Sequence, residues 1–466
     1  MNTNLKTYTY RRLIAAVAML IGVAMMGGAQ SRSAFDQITK DWRFSASNYC
    51  IYPDTQLAKQ TPAPMGKVPF YISHYGRHGS RYLSQRKAYL QPYKTLQKAD
   101  SLGKLTPVGK DVMRQMALII NESEGRWGDL SPLGAQQHRG IARRMMTNFP
   151  EVFEGKAHID AKSTTVPRCI LSMGAALQAM MAKNPRLQVK MEASARDMWY
   201  MNHQDRRLRG NMDTPVTQKA YDEYRKTRHH NPRLMSLLFN DSVYVKEHVD
   251  DVWLNYYLLK AALMQQNTSI GDKVDFLNLF TYEDKHQFWQ MENAWWYYRY
   301  GPSLLNDGHQ PYTQRYLLRK MIEEADSCIL LRKPGVQLRY GHETIVLPLT
   351  CLLELNGFGY ETDNLEELEE HGWWACLVFP MASNLQFVFY RNGPQDDDII
   401  FKVLLNEKEA TLPLKSDIAP YYHWRDFRNY YLAKLDRYEA LRLAAKSQRI
   451  HPHLLNHSQK PVGTGW

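Results

Sequence analysis

Apolar and polar positions alternate with two different periods along this chain. Residues 68–73 form a short apolar and aromatic run that reads as a strand. Residues 86–102 then place Tyr89, Leu90, Tyr93 and Leu96 at helical spacing. Thr106-Pro107, a cap followed by proline at the first helical position, opens a second helix whose face carries Val108, Val112, Met116 and Ile119. Ser131-Pro132 repeats that start signal ahead of residues 133–146. Residues 157–166 are again strand-like and break at Pro167 into an apolar helix over 170–181. From 193 to 314 the alternation of strand and helix stops, and long helical patterns such as 251–266 and 286–300 take over. It resumes with a helix over 313–328, a strand over 336–339 and a helix over 345–355. Strands are expected at 375–380, 385–390 and 399–406, and a closing helix at 422–446. The stretch 31–67, polar and punctuated by Pro53, Pro62 and Pro64, reads as an extended lead-in. The expected organisation is an α/β catalytic domain (30–192 and 315–450), a mainly helical insert or cap (193–314) and a polar tail (451–466). His451, His453 and His457 in that tail read as part of a disordered polar end rather than a metal site.

The ends add an address. Lys6, Arg11 and Arg12 precede an uncharged run that closes on Gly27-Gly28-Ala29, the three regions of a signal peptide over 1–29. The expected product is an exported protein, periplasmic or secreted, with no membrane span once the signal is removed. Its formal charge falls from +12 to about +9 when those three basic residues leave. The positive charge is scattered, with Arg206-Arg207-Leu208-Arg209 and Arg143-Arg144 the densest clusters. A nucleic-acid reader shows a clearer stripe or motif, so a small polyanionic, phosphorylated substrate is the expected partner. The five cysteines show no CxxC or zinc spacing, and a chain of this length needs no disulfide for stability.

Three junctions carry candidate chemistry. The first follows the opening strand, where YISHYGRHGSRYL sets Arg77, His78, Gly79 and Arg81 within five residues. Alone it reads as a surface basic turn. The second is Arg168, at the start of the helix after Pro167; the third is His342-Glu343, after the strand at 336–339. Neighbouring parallel strands would bring all three to one sheet edge, where open α/β sheets bind ligands. Three arginines and two histidines around one carboxyl group make an odd metal site, since metals want acidic ligands or neutral histidines. The set suits phosphoryl transfer, where charge on the phosphate oxygens must be neutralised in place. HETIV is not a zinc-protease HExxH, because Val346 stands at the second histidine position, and neither a P-loop nor a GxSxG elbow is present.

HYGRHGSRY, PRCILSM and GHET together resemble the histidine acid phosphatase family, and within it the inositol polyphosphate phosphatases and phytases. The stretch SNLQFVFYRNG through YYHWRDF is similar to that group's C-terminal part. The resemblance implies a phosphoglycerate-mutase-like three-layer α/β/α sandwich with an inserted, mainly helical cap, and no cofactor. It implies that His78 is a nucleophile forming a phosphohistidine, that Arg77, Arg81, Arg168 and His342 bind phosphate oxygens, and that Glu343 protonates the leaving alcohol. Substrates implied are phytate and other inositol polyphosphates; a broad acid phosphatase acting on sugar phosphates would share this core, and a non-catalytic polyanion binder would keep the arginines alone. Two positions depart from the pattern: Leu83 replaces a common proline, and His-Glu-Thr replaces His-Asp or His-Ala-Glu, which puts the carboxyl group one residue earlier than in the latter.

Overall fold

The computed structural model describes residues 33–53, 59–203, 205–228, 230–331 and 335–455. The signal-peptide reading falls outside these residues, as does the end of the tail. The centre is an eight-stranded sheet of β1 (Val68–Arg77), β2 (His158–Ser163), β3 (Gln188–Glu192), β4 (Gly335–Gly341), β5 (Asn384–Arg391), β6 (Ile400–Leu405), β7 (Lys408–Ala410) and β8 (Tyr422–His423). Its order is β3-β2-β4-β1-β5-β6-β7, with β8 on β6. The first four strands in that order are parallel, and pairing turns antiparallel from β1 to β5 onward.

Alternate side chains split each central strand between two cores, as a period of two requires. Tyr71, Tyr75, Phe387, Phe389 and Phe401 face one layer, which includes the helices Arg315–Leu331, Glu343–Leu352 and Trp424–Leu455. Ile72, Val388 and Ile400 face the other, built on Pro132–Asn148 and Pro167–Lys183. The result is the expected three-layer α/β/α sandwich. A third core joins Lys87–Ser101 and Pro107–Ser123 to Pro232–Leu238 and Asp251–Met264, through Leu96, Met116, Leu234 and Leu259 among others. This helical cap therefore draws on chain from both sides of β2.

Several elements differ from the sequence reading. β1 continues to Arg77, so this arginine is the last residue of the strand and not part of the turn. No strand forms at 375–380; Ala375–Val378 is a short helix instead. An uninterrupted apolar run of that length has no period that separates strand from helix. The lead-in is not extended throughout: Ala34–Lys40 is a helix capped by Ser33, and Trp42–Tyr49 is a 3-10 segment capped by Asp41. The closing helix reaches Leu455, beyond residue 446. Among the described residues no helix is long and apolar enough to cross a membrane, and all five cysteines are free thiols.

Candidate active site

The parallel register delivers the three junctions to one edge. Arg77 at the end of β1 is level with Gly341 at the end of β4, and Tyr340 of β4 with Ser163 of β2. His342 caps the helix that begins at Glu343, and Arg168 lies in the first turn of Pro167–Lys183. The loop between β1 and Arg81 is held by close backbone approach. A Cβ on Gly79 would stand 2.4 Å from the Gly134 carbonyl oxygen, so only glycine fits. Gly79 N donates to Ser172 Oγ at 3.1 Å, and Ser80 N to Gln137 Oε1 at 2.9 Å.

His78 is completely buried. Its Nδ1 lies 2.9 Å from its neighbour's carbonyl oxygen, on Gly79. That oxygen can only accept, so Nδ1 carries the proton and Nε2 keeps its lone pair. Nε2 faces Glu343, whose Oε2 is 3.4 Å away. Burial, reinforced by Arg77 and Arg81, pushes the His78 imidazole well below its ordinary pKa despite the opposing pull of Glu343. The same causes, with Arg168 added, bring His342 down to about 4. Both rings are therefore neutral near pH 7. His342 lies edge-on to His78 at 5.8 Å, and Thr164 Oγ1 is 3.3 Å from its Nε2.

Glu343 is surrounded by cations. Arg77 Nε is 3.1 Å from Oε2, and Arg81 Nη2 is 3.7 Å from Oε1. Burial alone would raise this carboxyl's pKa, but Arg77, with Arg81 beside it, outweighs burial and holds the group well below the usual range. One carboxylate does not satisfy three guanidiniums, however. Arg77 Nη2, Arg81 Nε and Arg168 Nε are all buried without a hydrogen-bond partner. Burial and the neighbouring Arg81 and Arg168 bring Arg77 down to about 10, although Glu343 works the other way. The edge is short of negative charge and rich in unused donors.

All six residues singled out from the sequence, Arg77, His78, Arg81, Arg168, His342 and Glu343, thus meet in one place. The earlier position of the carboxyl group does not keep Glu343 from reaching His78. The ligand atoms of His78, His342 and Glu343 lie within 4.8 Å of one another, a spacing that could suit a metal. The three surrounding guanidiniums repel a cation and attract an anion instead. His138, on the helix Pro132–Asn148, is buried edge-on against Tyr340.

Sequence reasoning missed Asn48 and Tyr49. Asn48 O accepts from Arg77 Nη1 at 2.6 Å, and the Tyr49 ring centroid is 5.4 Å from the Arg81 guanidinium carbon. The Ser33 and Asp41 caps could have revealed the helical turns here, but no motif marks Asn48. Beside this edge lies a cavity of about 390 Å³ whose walls include Asn48, Tyr49, Trp253, Tyr256, Lys260 and Trp296. Lys260 is pinned there by Tyr256, 2.9 Å away, and by Glu292 at 3.7 Å.

The model of the family described as histidine phosphatase superfamily (branch 2) matches residues 76–406. Among curated proteins, none matches the chain. The structure is similar to the Bifidobacterium longum multiple inositol polyphosphate phosphatase in complex with inositol hexasulfate, with TM-score 0.70 and 17% identity over 82% of this chain and 96% of that one. The phosphate complex of the same enzyme gives TM-score 0.69 and 18% identity over 84% and 98%. The phytase from D. castellii gives TM-score 0.56 and 15% identity over 84% and 85%. At such identities the likeness to these structures is one of fold, whereas the family model spans well over half of the sequence, including all six site residues. The chain belongs to the histidine phosphatase superfamily, branch 2.

Proposed function

We propose that this protein hydrolyses phosphomonoesters through a phosphohistidine on His78, with inositol polyphosphates as its substrate class. The observation that carries the reading is the set of buried, unpartnered donors on Arg77, Arg81 and Arg168 around an imidazole whose lone pair is free. A phosphate supplies the missing acceptors and charge. Bound there, its phosphorus faces His78 Nε2, and the arginines cancel the repulsion between dianion and nucleophile.

In the first step the Nε2–P bond forms, the P–O bond to the alcohol breaks, and Glu343 gives its proton to the leaving oxygen. In the second step water attacks phosphorus, the N–P bond breaks, and Glu343 takes the proton from water. Glu343 must therefore be protonated when the ester is bound, although the arginines keep it ionised in the free site. The incoming phosphate resolves this, because its negative charge neutralises the field that held the carboxylate.

The inositol phosphate reading draws on the solved relative that binds inositol hexasulfate and on Lys260 in the adjoining cavity. A broader range of sugar and other small phosphomonoesters is favoured by the same cavity's walls, where aromatic faces far outnumber cations. Phosphate release from phytate, a sugar phosphate and an aryl phosphate separates the two. Turnover of phytate alone supports the first, equal turnover supports the second, and none for any ester removes the enzyme. His78→Ala should abolish release; full activity in that variant would remove the mechanism.

A further inference from the structure

Asn48 arrives at the site from the N-terminal segment, far from any motif, and does two things there. Its backbone carbonyl accepts from Arg77 Nη1 at 2.6 Å, sharing that nitrogen with the Phe379 carbonyl, also at 2.6 Å. Its side-chain Nδ2 donates to Glu343 Oε1 across 3.4 Å. The other end of the amide, Oδ1, is buried and unpartnered. Asn48 is also part of the wall of the neighbouring cavity. Its amide therefore links the carboxyl group to the wall of that cavity.

The chain adopts a costly backbone to place it there. Ser47 has φ 52° and ψ −120°, a conformation that side-chain-bearing residues rarely adopt, and it is buried with its hydroxyl unpartnered. Backbone of this kind persists only where its surroundings hold it, and it gathers at functional sites.

A proton donor that works in both halves of a reaction alternates between carboxylate and carboxylic acid. The cations Arg77 and Arg81 favour the first form only. A neutral amide suits both. Its N–H donates to the carboxylate, and after a half-turn of the amide its oxygen accepts from the acid. We propose that Asn48 is the positioning residue of the proton donor, aligning Glu343 on the leaving oxygen in either protonation state. The inference rests on the phosphoryl-transfer reading given above and extends it to a residue outside the motifs.

The test compares an alkyl phosphate, glycerol 2-phosphate, with an activated ester, 4-nitrophenyl phosphate, in the full-length wild type, Asn48→Ala and Asn48→Ser. Both variants retain the backbone carbonyl that holds Arg77, and Asn48→Ser, with a polar side chain too short to reach Glu343, guards against a folding defect peculiar to alanine. A nitrophenolate leaves without help, whereas an alkoxide needs the acid. The expected result is a fall in kcat/KM, which reports only as far as cleavage of the ester bond, of about ten-fold on glycerol 2-phosphate and less than about two-fold on 4-nitrophenyl phosphate. Equal losses of kcat/KM on both esters would overturn the role. A wild type inactive on both esters would instead overturn the phosphatase reading, and this inference with it.

Discussion

Arg77 and Arg339 stand on neighbouring parallel strands of one sheet, and both are buried. Both terminal nitrogens of Arg339 are used. Its guanidinium donates to Ser73 Oγ at 3.0 Å, to the His74 carbonyl at 3.3 Å and to Gln337 at 3.2 Å, and it is paired with Glu324. Burial works against its charge, but Glu324 leads the interactions that outweigh burial and raise its pKa above the ordinary arginine value. Arg77 has a carboxylate too, yet shares it with Arg81 and His78 and is left with an unpartnered nitrogen. The first arginine completes its surroundings, while the second leaves room for an anion. Burial does not separate the two arginines; the balance of counter-charge does.

Removing one member of each group should therefore have opposite consequences. Arg81→Met is expected to lower kcat/KM by about 10²–10³, as loss of one donor to transition-state charge does, while leaving the unfolding midpoint unchanged or raised. Steady-state kinetics and a melting curve on the same sample measure both. Arg339→Met leaves Glu324 only Lys320, 3.9 Å away, and should cost about 3 kcal/mol of stability, read from urea unfolding. If Arg81→Met were the less stable of the two, the contrast between the sites would be wrong.

Inorganic phosphate sharpens the comparison, because it can satisfy only the deficient side. At about 100 times its Kd it should add about 2.7 kcal/mol of stability, seen as a rise in Tm. Arg168→Met should abolish most of that rise, and Arg339→Met should leave the increment intact on its lower baseline. The smallest effect is that of pH. His342 is depressed to about 4, with His78 also below its ordinary value, so both rings stay neutral as the solution turns acid. The kcat/KM profile should consequently show no histidine limb near pH 6.5. Behind the site, burial takes His74 and His138 down to about 3. A depressed histidine contributes stability that is full above its unfolded pKa and declines as pH falls from about 6.5 toward the folded value. Tm should therefore fall over that interval, and His138→Gln should lessen the slope.

The parts of the site that were legible in the sequence share a physical reason. Arg77, His78, Arg81, Arg168, His342 and Glu343 lie at strand ends or first helical turns, where local pattern and proline or glycine punctuation mark the chain. Parallel pairing of β1, β4 and β2 then unites them. Asn48 was illegible because it acts through a carbonyl and a short amide, delivered by a backbone turn at Ser47 that no residue type announces. The apolar run around Ala375–Val378 was misread as a strand because so short an uninterrupted apolar run carries no period that tells strand from helix. Its end matters to the site even so, since the Phe379 carbonyl is one of the two acceptors on Arg77 Nη1.

The central claim is that the unsatisfied edge exists to receive a phosphoryl group on His78. Acid-free rapid quenching of the wild type with excess 4-nitrophenyl phosphate, followed by intact-mass and peptide mass spectrometry, tests it directly. A phosphoryl adduct on the peptide containing His78, labile in acid and absent from His78→Ala, is the predicted result. Rapid turnover without any adduct, or an adduct on another residue, would contradict the account.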